Sequence, residues 1–223
     1  MKIIAIINDK KADTEILLKS LAGKTGDYIR VYSLEDTFNA DMKYFTMDNV
    51  IPLNLKKRHG KIVPHSFSAM PILRDLMDEN FDEILLLRGT MIARKSLSGI
   101  WDRLKHDTLK ARIYPIAKGK KTMRFQIGVI ALSNGPYTYR FISNVIEKIK
   151  REPYYKREPF IFFEEIPKNP DMNFIRMDIL YNDIMFLEKA AIWHHKGQHF
   201  AGVLFEKEYK RIKTGEGEAV RGV

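Results

Sequence analysis

Ile84-Leu85-Leu86-Leu87 is a run of consecutive apolar residues bounded by charge, with Asp82-Glu83 before it and Arg88 after it. A run this short and uniform predicts a strand buried on both faces. Strands of that kind belong to α/β sheets covered by helices. Ligands of open α/β sheets bind beyond the carboxyl ends of the strands. Arg88-Gly89-Thr90 is therefore the first place to look for chemistry. The plainer reading is that these residues only end the strand.

The rest of the chain fits around that strand. Ile3 to Ile7 is continuous and mostly β-branched, so Met1–Asn8 is read as a first strand. Asp13 or Thr14 can cap a helix with Ile16, Leu17, Leu18 and Leu21 on its apolar side, ended by Gly23 and Gly26. Tyr28–Ser33 alternates as a second strand. This strand–helix–strand opening predicts parallel pairing with a right-handed crossover. Ser66 or Ser68 is placed to cap a helix running through Met77, just before the buried strand. Ser96–Leu104 carries Leu97, Ile100, Trp101 and Leu104 at helical spacing and is expected to be a core-facing helix.

Further on, Ala111–Ala117 is read as a strand. Phe125–Leu132 is a second buried strand, interrupted by Gly128. The turn Asn134-Gly135-Pro136 leads into an amphipathic helix over Thr138–Lys150, stopped by Pro153. Phe160–Phe163 is expected as an aromatic strand entering Glu164-Glu165. Phe174–Leu180 and Ala190–Trp193 follow as strands, then the polar loop His194–His199 and a basic amphipathic helix over Phe205–Ile212. The sequence predicts one α/β domain over 1–213 and a disordered Gly-rich tail over 214–223.

Composition narrows the function. The 223 residues include no cysteine, which excludes disulfides and thiolate metal sites and fits a reducing cytoplasm. No stretch reaches the roughly 18 apolar residues of a membrane span, and the apolar start before Asn8 is too short for a secretory leader. The formal charge of +10 favours a polyanionic partner or phosphorylated ligands, or else a Lys-rich surface with no partner. Three basic clusters carry much of that charge. The first holds Lys56, Lys57, Arg58 and Lys61. The second runs from Arg103 to Arg124 and includes Lys118, Lys120 and Lys121. The third runs from Lys148 to Arg157 and includes Arg151, Lys156 and Arg157 around Tyr154 and Tyr155. Aromatic rings among basic residues suit base stacking beside phosphate contacts, so the macromolecular partner is read as nucleic acid, for instance DNA. Solvated loops are the plainer alternative, and basic segments such as Phe205–Arg211 also suit anionic membranes.

The order of these elements resembles the GT-A-fold glycosyltransferases, especially the glycogenin-like, retaining type. The matching stretches are Ile3–Asp9, Ile84–Thr90, Leu97–Trp101, Phe125–Val129, Glu164–Glu165 and His194–Gly197. The resemblance implies a mostly parallel mixed sheet flanked by helices, and a nucleotide-diphosphate sugar as co-substrate. It assigns Asn8 and Asp9 to the base or ribose, and His194, Lys196 and Gly197 to the diphosphate. Gln126 stands where the family has Asn against the sugar. Gly128 allows close approach. Glu164 or Glu165 positions an acceptor hydroxyl or acts as general base.

One departure is decisive for the chemistry. The family carries Asp-x-Asp at the strand end to hold a divalent metal, and this chain has Arg88-Gly89-Thr90. Hard cations need carboxylate oxygens, so no metal is expected here; His194 and His199 do not have a specific metal-ligand spacing. Three readings stay open. Arg88, with Thr90, neutralises the diphosphate in a metal-independent hexosyltransferase acting on a nucleic acid such as a modified DNA base. The chain binds nucleotide or nucleic acid without catalysis. Or the domain is an assembly surface.

Overall fold

The computed structural model describes residues 1–8, 11–33, 50–54, 69–88, 90–115, 123–151, 158–195 and 202–215. Strands β1 (Lys2–Asn8), β2 (Tyr28–Ser33), β3 (Val50–Asn54) and β4 (Glu83–Arg88) are joined with helices α1 (Lys11–Leu21) and α2 (Ala69–Asp78). The short β5 (Met91–Ala93) follows β4. Next come β6 (Thr108–Pro115), β7 (Met123–Ser133), α3 (Pro136–Arg151), α4 (Glu158–Glu165), β8 (Asn173–Arg176), β9 (Ile192–His194) and α5 (Gly202–Thr214). Among the described residues, seven strands form one sheet in the order β3-β2-β1-β4-β7-β6-β8. Neighbours are parallel except where β7 lies antiparallel between β4 and β6. This is the mixed, mostly parallel sheet that the sequence predicted.

The strand alternation explains why β1 and β4 are continuous apolar runs. Ile3, Ala5, Ile7, Ile84 and Leu86 face one core, shared with Leu73 of α2, Phe141 of α3 and Phe162 of α4. Ile4, Ile6, Leu85 and Leu87 face the other, with Leu17 and Leu18 of α1. Both faces are covered, so the interior positions Ile3–Ile7 of β1 and Ile84–Leu87 of β4 are all apolar. Helix α1 ends as expected, with Gly23 in the left-handed region at φ 69.

Several elements differ from the sequence reading. Ser96–Leu104 is not a helix: only Ser98–Ile100 makes a single 3-10 turn. The Ser96 hydroxyl accepts from the Ser98 amide, the Trp101 indole donates to Asp27, and Arg103 turns left-handed at φ 63. These local bonds compete with helix continuation, yet Leu97, Ile100, Trp101 and Leu104 still reach the core. Phe160–Phe163 is helical, inside α4. Helical spacing lets Phe162 contact both Phe125 at 4.5 Å and Phe141 at 4.9 Å, which a strand at this place would not do. The strand predicted over Phe174–Leu180 is the shorter β8. Asp178 then caps a 3-10 turn over Ile179–Tyr181 by accepting from the Leu180 amide. Strand β9 does not join the main sheet but pairs with β5 as a separate ribbon. The caps expected at Ser66 or Ser68, and residues 216–223 of the tail, lie outside the described residues.

Helix α3 starts on a cap from a distant residue. Asp107, at φ 57, accepts from the backbone amides of Tyr137 at 2.8 Å and Thr138 at 2.9 Å. The carboxylate also favours the positive end of the helix. Asp107→Ala is expected to destabilise the fold by about 2 kcal/mol, lowering the melting temperature by roughly 4–8 °C. Urea denaturation of the two proteins would test this; an unchanged midpoint would remove the capping role.

Candidate functional site

The carboxyl ends of β1 to β4 converge on one edge, where register places Asn8 beside Ser33 and Ser33 beside Asn54. Arg88 ends β4, next to Ile7 in register. Strand β7 runs the other way and starts from the same edge. It pairs with β4 up to Val129. On its other side Ala111 pairs with Ile130, while the next residue, Arg112, pairs with Gln126. Ile127, Gly128 and Val129 are therefore extra residues on β7, and the sheet bulges there. Bulges of this kind re-aim side chains at functional edges.

The β5–β9 ribbon joins the strand end to the histidine pair. Met91 pairs with His194, and the His195 amide donates to the Thr90 carbonyl at 3.0 Å. Two stretches that the sequence assigned separately to a diphosphate are thus tied together through backbone. The His194 ring lies against the β7 bulge. A Cβ added to Gly128 would sit 2.7 Å from His194 Nδ1 and 2.8 Å from Met91 Cε. The close approach expected at Gly128 is made by this ring.

Asn182 completes the cluster. It is fully buried, and its Nδ2 donates to the Gln126 carbonyl at 3.2 Å. That fixes the amide orientation, so Oδ1 faces His194 Nδ1 at 2.9 Å as an acceptor. Nδ1 therefore carries a proton in the neutral ring, and the acceptor lone pair is on Nε2. Arg112 donates to the Asn182 carbonyl, and the His194 amide donates to the Asp183 carbonyl at 2.8 Å. Gln126 is also fully buried, with Nε2 at 3.5 Å from His194 Nδ1, too long for a strong bond. Its Oε1 has no hydrogen-bond partner among the described residues. A buried orphan acceptor calls for an explanation, and a donor hydroxyl on a ligand is one.

Asn182 and Asp183 were not singled out from sequence, and Arg112 was read only as part of the basic Arg103–Arg124 cluster. The available signal was a polar pair, Asn182-Asp183, inside the otherwise apolar Ile179–Leu187. Glu164 and Glu165 sit at the end of α4, not on a strand. Lys148 pairs with Glu164 at 2.6 Å, and Lys168 with the buried Glu165 at 2.8 Å. These pairs tie α4 to its neighbours beside the core that holds Phe125 and Phe162. Met91 and Ile192 of the ribbon belong to the opposite core.

Of the basic residues, Arg151 is exposed at the end of α3. Lys110 is buried, donating to the carbonyls of Ile100 at 2.9 Å and Asp102 at 2.6 Å; burial holds its ammonium below the usual lysine range. It is therefore a structural clamp and not part of a polyanion surface. Asp9, Lys56, Lys57, Arg58, Lys118, Lys120, Lys121, Tyr154, Tyr155, Lys156, Arg157, Lys196 and Gly197 lie outside the described residues. No group of three or more His, Asp or Glu side chains suited to a metal occurs among the described residues. Arg88 and Thr90 do not fit a hard cation, because neither offers a carboxylate oxygen.

No family model matches the sequence, and no curated protein matches it. Solved structures do. The galactosyltransferase LgtC, crystallised with donor and acceptor sugar analogs, superposes with a TM-score of 0.64 at 13% identity over 96% of both chains. The glycosyltransferase GlyE of Streptococcus pneumoniae gives 0.65 at 15% identity, over 96% of this chain and 62% of GlyE. Mouse xyloside xylosyltransferase 1 gives 0.59 at 11% identity, over 88% and 97%. The chain has a GT-A glycosyltransferase fold. Among the described residues of this GT-A domain, no helix is long and apolar enough to cross a membrane. The end of β4, the β7 bulge and the β5–β9 ribbon bring Arg88, Gln126, Asn182 and His194 near one another.

Proposed function

We propose that the protein is a glycosyltransferase that takes a nucleotide-diphosphate sugar and holds its diphosphate without a metal. The joining of the β4 end to His194 and His195 by the β5–β9 ribbon carries this reading. Arg88 supplies a planar, permanently charged donor suited to bidentate phosphate contacts. Thr90 adds a hydroxyl, and His194, Lys196 and the Gly197 amide are assigned to the same phosphates. Gln126 Oε1 accepts from a sugar hydroxyl. Asn8 and Asp9 are assigned to the nucleoside. Asn182 is a positioning residue, because its amide is spent on His194 and on the Gln126 carbonyl. Glu164 and Glu165 are left out of the mechanism, since lysines hold both.

For the acceptor we propose nucleic acid, on the strength of the +10 charge and the basic clusters. A base within duplex DNA would have to be extruded to react. The competing reading is a GT-A domain that binds without transferring, and the replacement of both metal-binding carboxylates favours it.

A thermal-shift series with nucleoside-diphosphate sugars tests the donor. At a ligand concentration about 100-fold above Kd, the melting temperature is expected to rise by roughly 5–10 °C, and to do so equally with a chelator present. No stabilisation by any such sugar would remove the donor. A rise that needs Mn²⁺ would remove metal independence. Gel shifts test the acceptor: duplex binding should weaken more than about tenfold between low and moderate salt. Sugar transfer to the bound DNA separates the enzyme from the binding module.

A further inference from the structure

A histidine meets a phosphate only with a proton to donate, because the phosphate oxygens of a nucleotide sugar are acceptors. Which ring nitrogen offers that proton is set here by Asn182. Its Nδ2 donates to the Gln126 carbonyl at 3.2 Å, so turning the amide over would bring two oxygens together. Its Oδ1 is thereby held toward His194 Nδ1, at 2.9 Å. The Asn182 backbone is fixed as well: Arg112 donates to its carbonyl, and its own amide donates to the Ile179 carbonyl at 3.2 Å. Gln126 Nε2, at 3.5 Å from Nδ1, is too distant to compete.

The ring has no second way to sit. Asn182 is fully buried and His194 nearly so. The His194 amide donates to the Asp183 carbonyl at 2.8 Å, and its strand pairs with Met91. The ring edge lies over Gly128, whose missing side chain leaves it room. Turning the ring over would set a carbon against Asn182 Oδ1 and leave a buried acceptor without its bond. The Nδ1 proton is thus spent on Asn182 in both the neutral and the charged ring. A phosphate contact by His194 comes from Nε2, and Nε2 donates only in the imidazolium form.

We propose that the protein takes up a proton at His194 Nε2 when it binds a nucleotide-diphosphate sugar. This rests on the donor reading above and adds the protonation state that the reading requires. The proton comes from solvent. An N–H bond forms at Nε2, and no bond of the nucleotide sugar breaks. Among the described residues, the elements against the ring bring few charges. β5 presents Met91, and β7 presents Gln126 and Gly128, all neutral. Arg88 ends β4, and Arg112 of β6 lies behind Asn182. The Asp183 carboxylate is committed to the amides of Met185 at 2.8 Å and Leu187 at 2.6 Å. Strand alternation puts Trp193 and His195 on the other side of β9. There Arg94 covers the Trp193 ring and pairs with Glu208 at 3.6 Å, and His195 stacks on Phe205. The two arginines oppose a further positive charge on His194, and an arriving diphosphate favours one. Binding is therefore strongest where the ring is already charged, and weakens as pH rises through the imidazole range.

The experiment is calorimetric titration of the full chain with uridine diphosphate glucose, guanosine diphosphate mannose and thymidine diphosphate glucose. Each titration is run in two buffers of unlike ionisation enthalpy, which reports protons taken up on binding. Both phosphates of these probes are ester-linked and stay ionised, so the probes contribute no proton of their own. Uptake should approach about one proton per bound probe near pH 7.5, and affinity should fall by up to about tenfold per pH unit above about pH 6.5. His194→Gln keeps an amide donor and cannot titrate, so its binding should be independent of pH and free of uptake. If a probe binds the parent without uptake, the proton proposal fails and the donor reading stands. If uptake persists in His194→Gln, another group is its source and the proposal fails. If none of the probes binds at any pH, the donor reading fails and takes the proposal with it. Ring-nitrogen NMR of the free protein needs no donor: at alkaline pH, His194 should carry its proton on Nδ1. The opposite tautomer would overturn the proposal even where a nucleotide sugar binds.

Discussion

Gly128→Ala is expected to cost both stability and donor binding. The new methyl group would lie 2.7 Å from His194 Nδ1 and 2.8 Å from Met91 Cε, and closer still to His194 Cε1. Met91 can swing its terminal methyl. The imidazole cannot withdraw easily, because Asn182 holds its Nδ1 and its backbone is paired with Met91 and bonded to Asp183. Overpacking of this kind costs about 1–3 kcal/mol, or roughly 2–12 °C in melting temperature. Displacing the ring would also remove a charge-assisted or polar phosphate contact, weakening nucleotide-sugar binding by about tenfold to a hundredfold. Gly26→Ala is the control, since nothing lies within 4 Å of its added Cβ and its φ is not in the left-handed region. Calorimetric titration of both variants would decide. If Gly128→Ala bound donor as the parent does, His194 would not be part of the donor site.

The first half of the fold was readable because burial on both faces removes polar residues from a strand. β1 and β4 show this directly, and the parallel pairing of β1 with β2 followed from the helix between them. The second half was harder because its apolar residues do not alternate. Phe160 to Phe163 has no period that distinguishes strand from helix, and tertiary contacts of Phe162 decided it. Leu97, Ile100, Trp101 and Leu104 have helical spacing, yet side-chain bonds from Ser96 and Trp101 break the helix while keeping all four residues buried. Spacing reported burial correctly and conformation wrongly.

Which residues the fold brings together was legible only where they end strands. Arg88 and His194 were both assigned to a diphosphate from their places in the order of elements, and the β5–β9 ribbon links their strand ends. Asn182 was invisible for a physical reason. Its role depends on a bond to a ring twelve residues away and on a carbonyl in β7, and no local pattern encodes either. Glu164 and Glu165 looked like an acidic site motif because a carboxylate pair reads the same whether or not lysines occupy it. Lys148 and Lys168 are at neighbouring positions only in the folded chain and at a helix end.

Arg88→Ala is the second large effect expected. A diphosphate held without a metal needs its charge offset by fixed donors, and a guanidinium does this with two parallel hydrogen bonds. Bonds to charged groups contribute about 1.5–3 kcal/mol each, so losing the fork should weaken nucleoside-diphosphate binding by roughly a hundredfold or more. Arg88→Lys should recover only part of this, because an ammonium keeps the charge but not the planar pair of donors. The ratio between the two variants is informative. If Lys restored binding fully, Arg88 would act as a point charge, a role the ammonium fills equally well. If Ala had no effect, the diphosphate would be held elsewhere and the replacement of Asp-x-Asp by Arg88-Gly89-Thr90 would mark a GT-A domain without donor chemistry. Nucleoside monophosphate serves as the internal comparison: it lacks the second phosphate, so its affinity should fall much less in Arg88→Ala than that of the diphosphate. A uniform loss for both ligands would instead point to a disturbed nucleoside pocket at the ends of β1 and β4, where Ile7 and Arg88 share register.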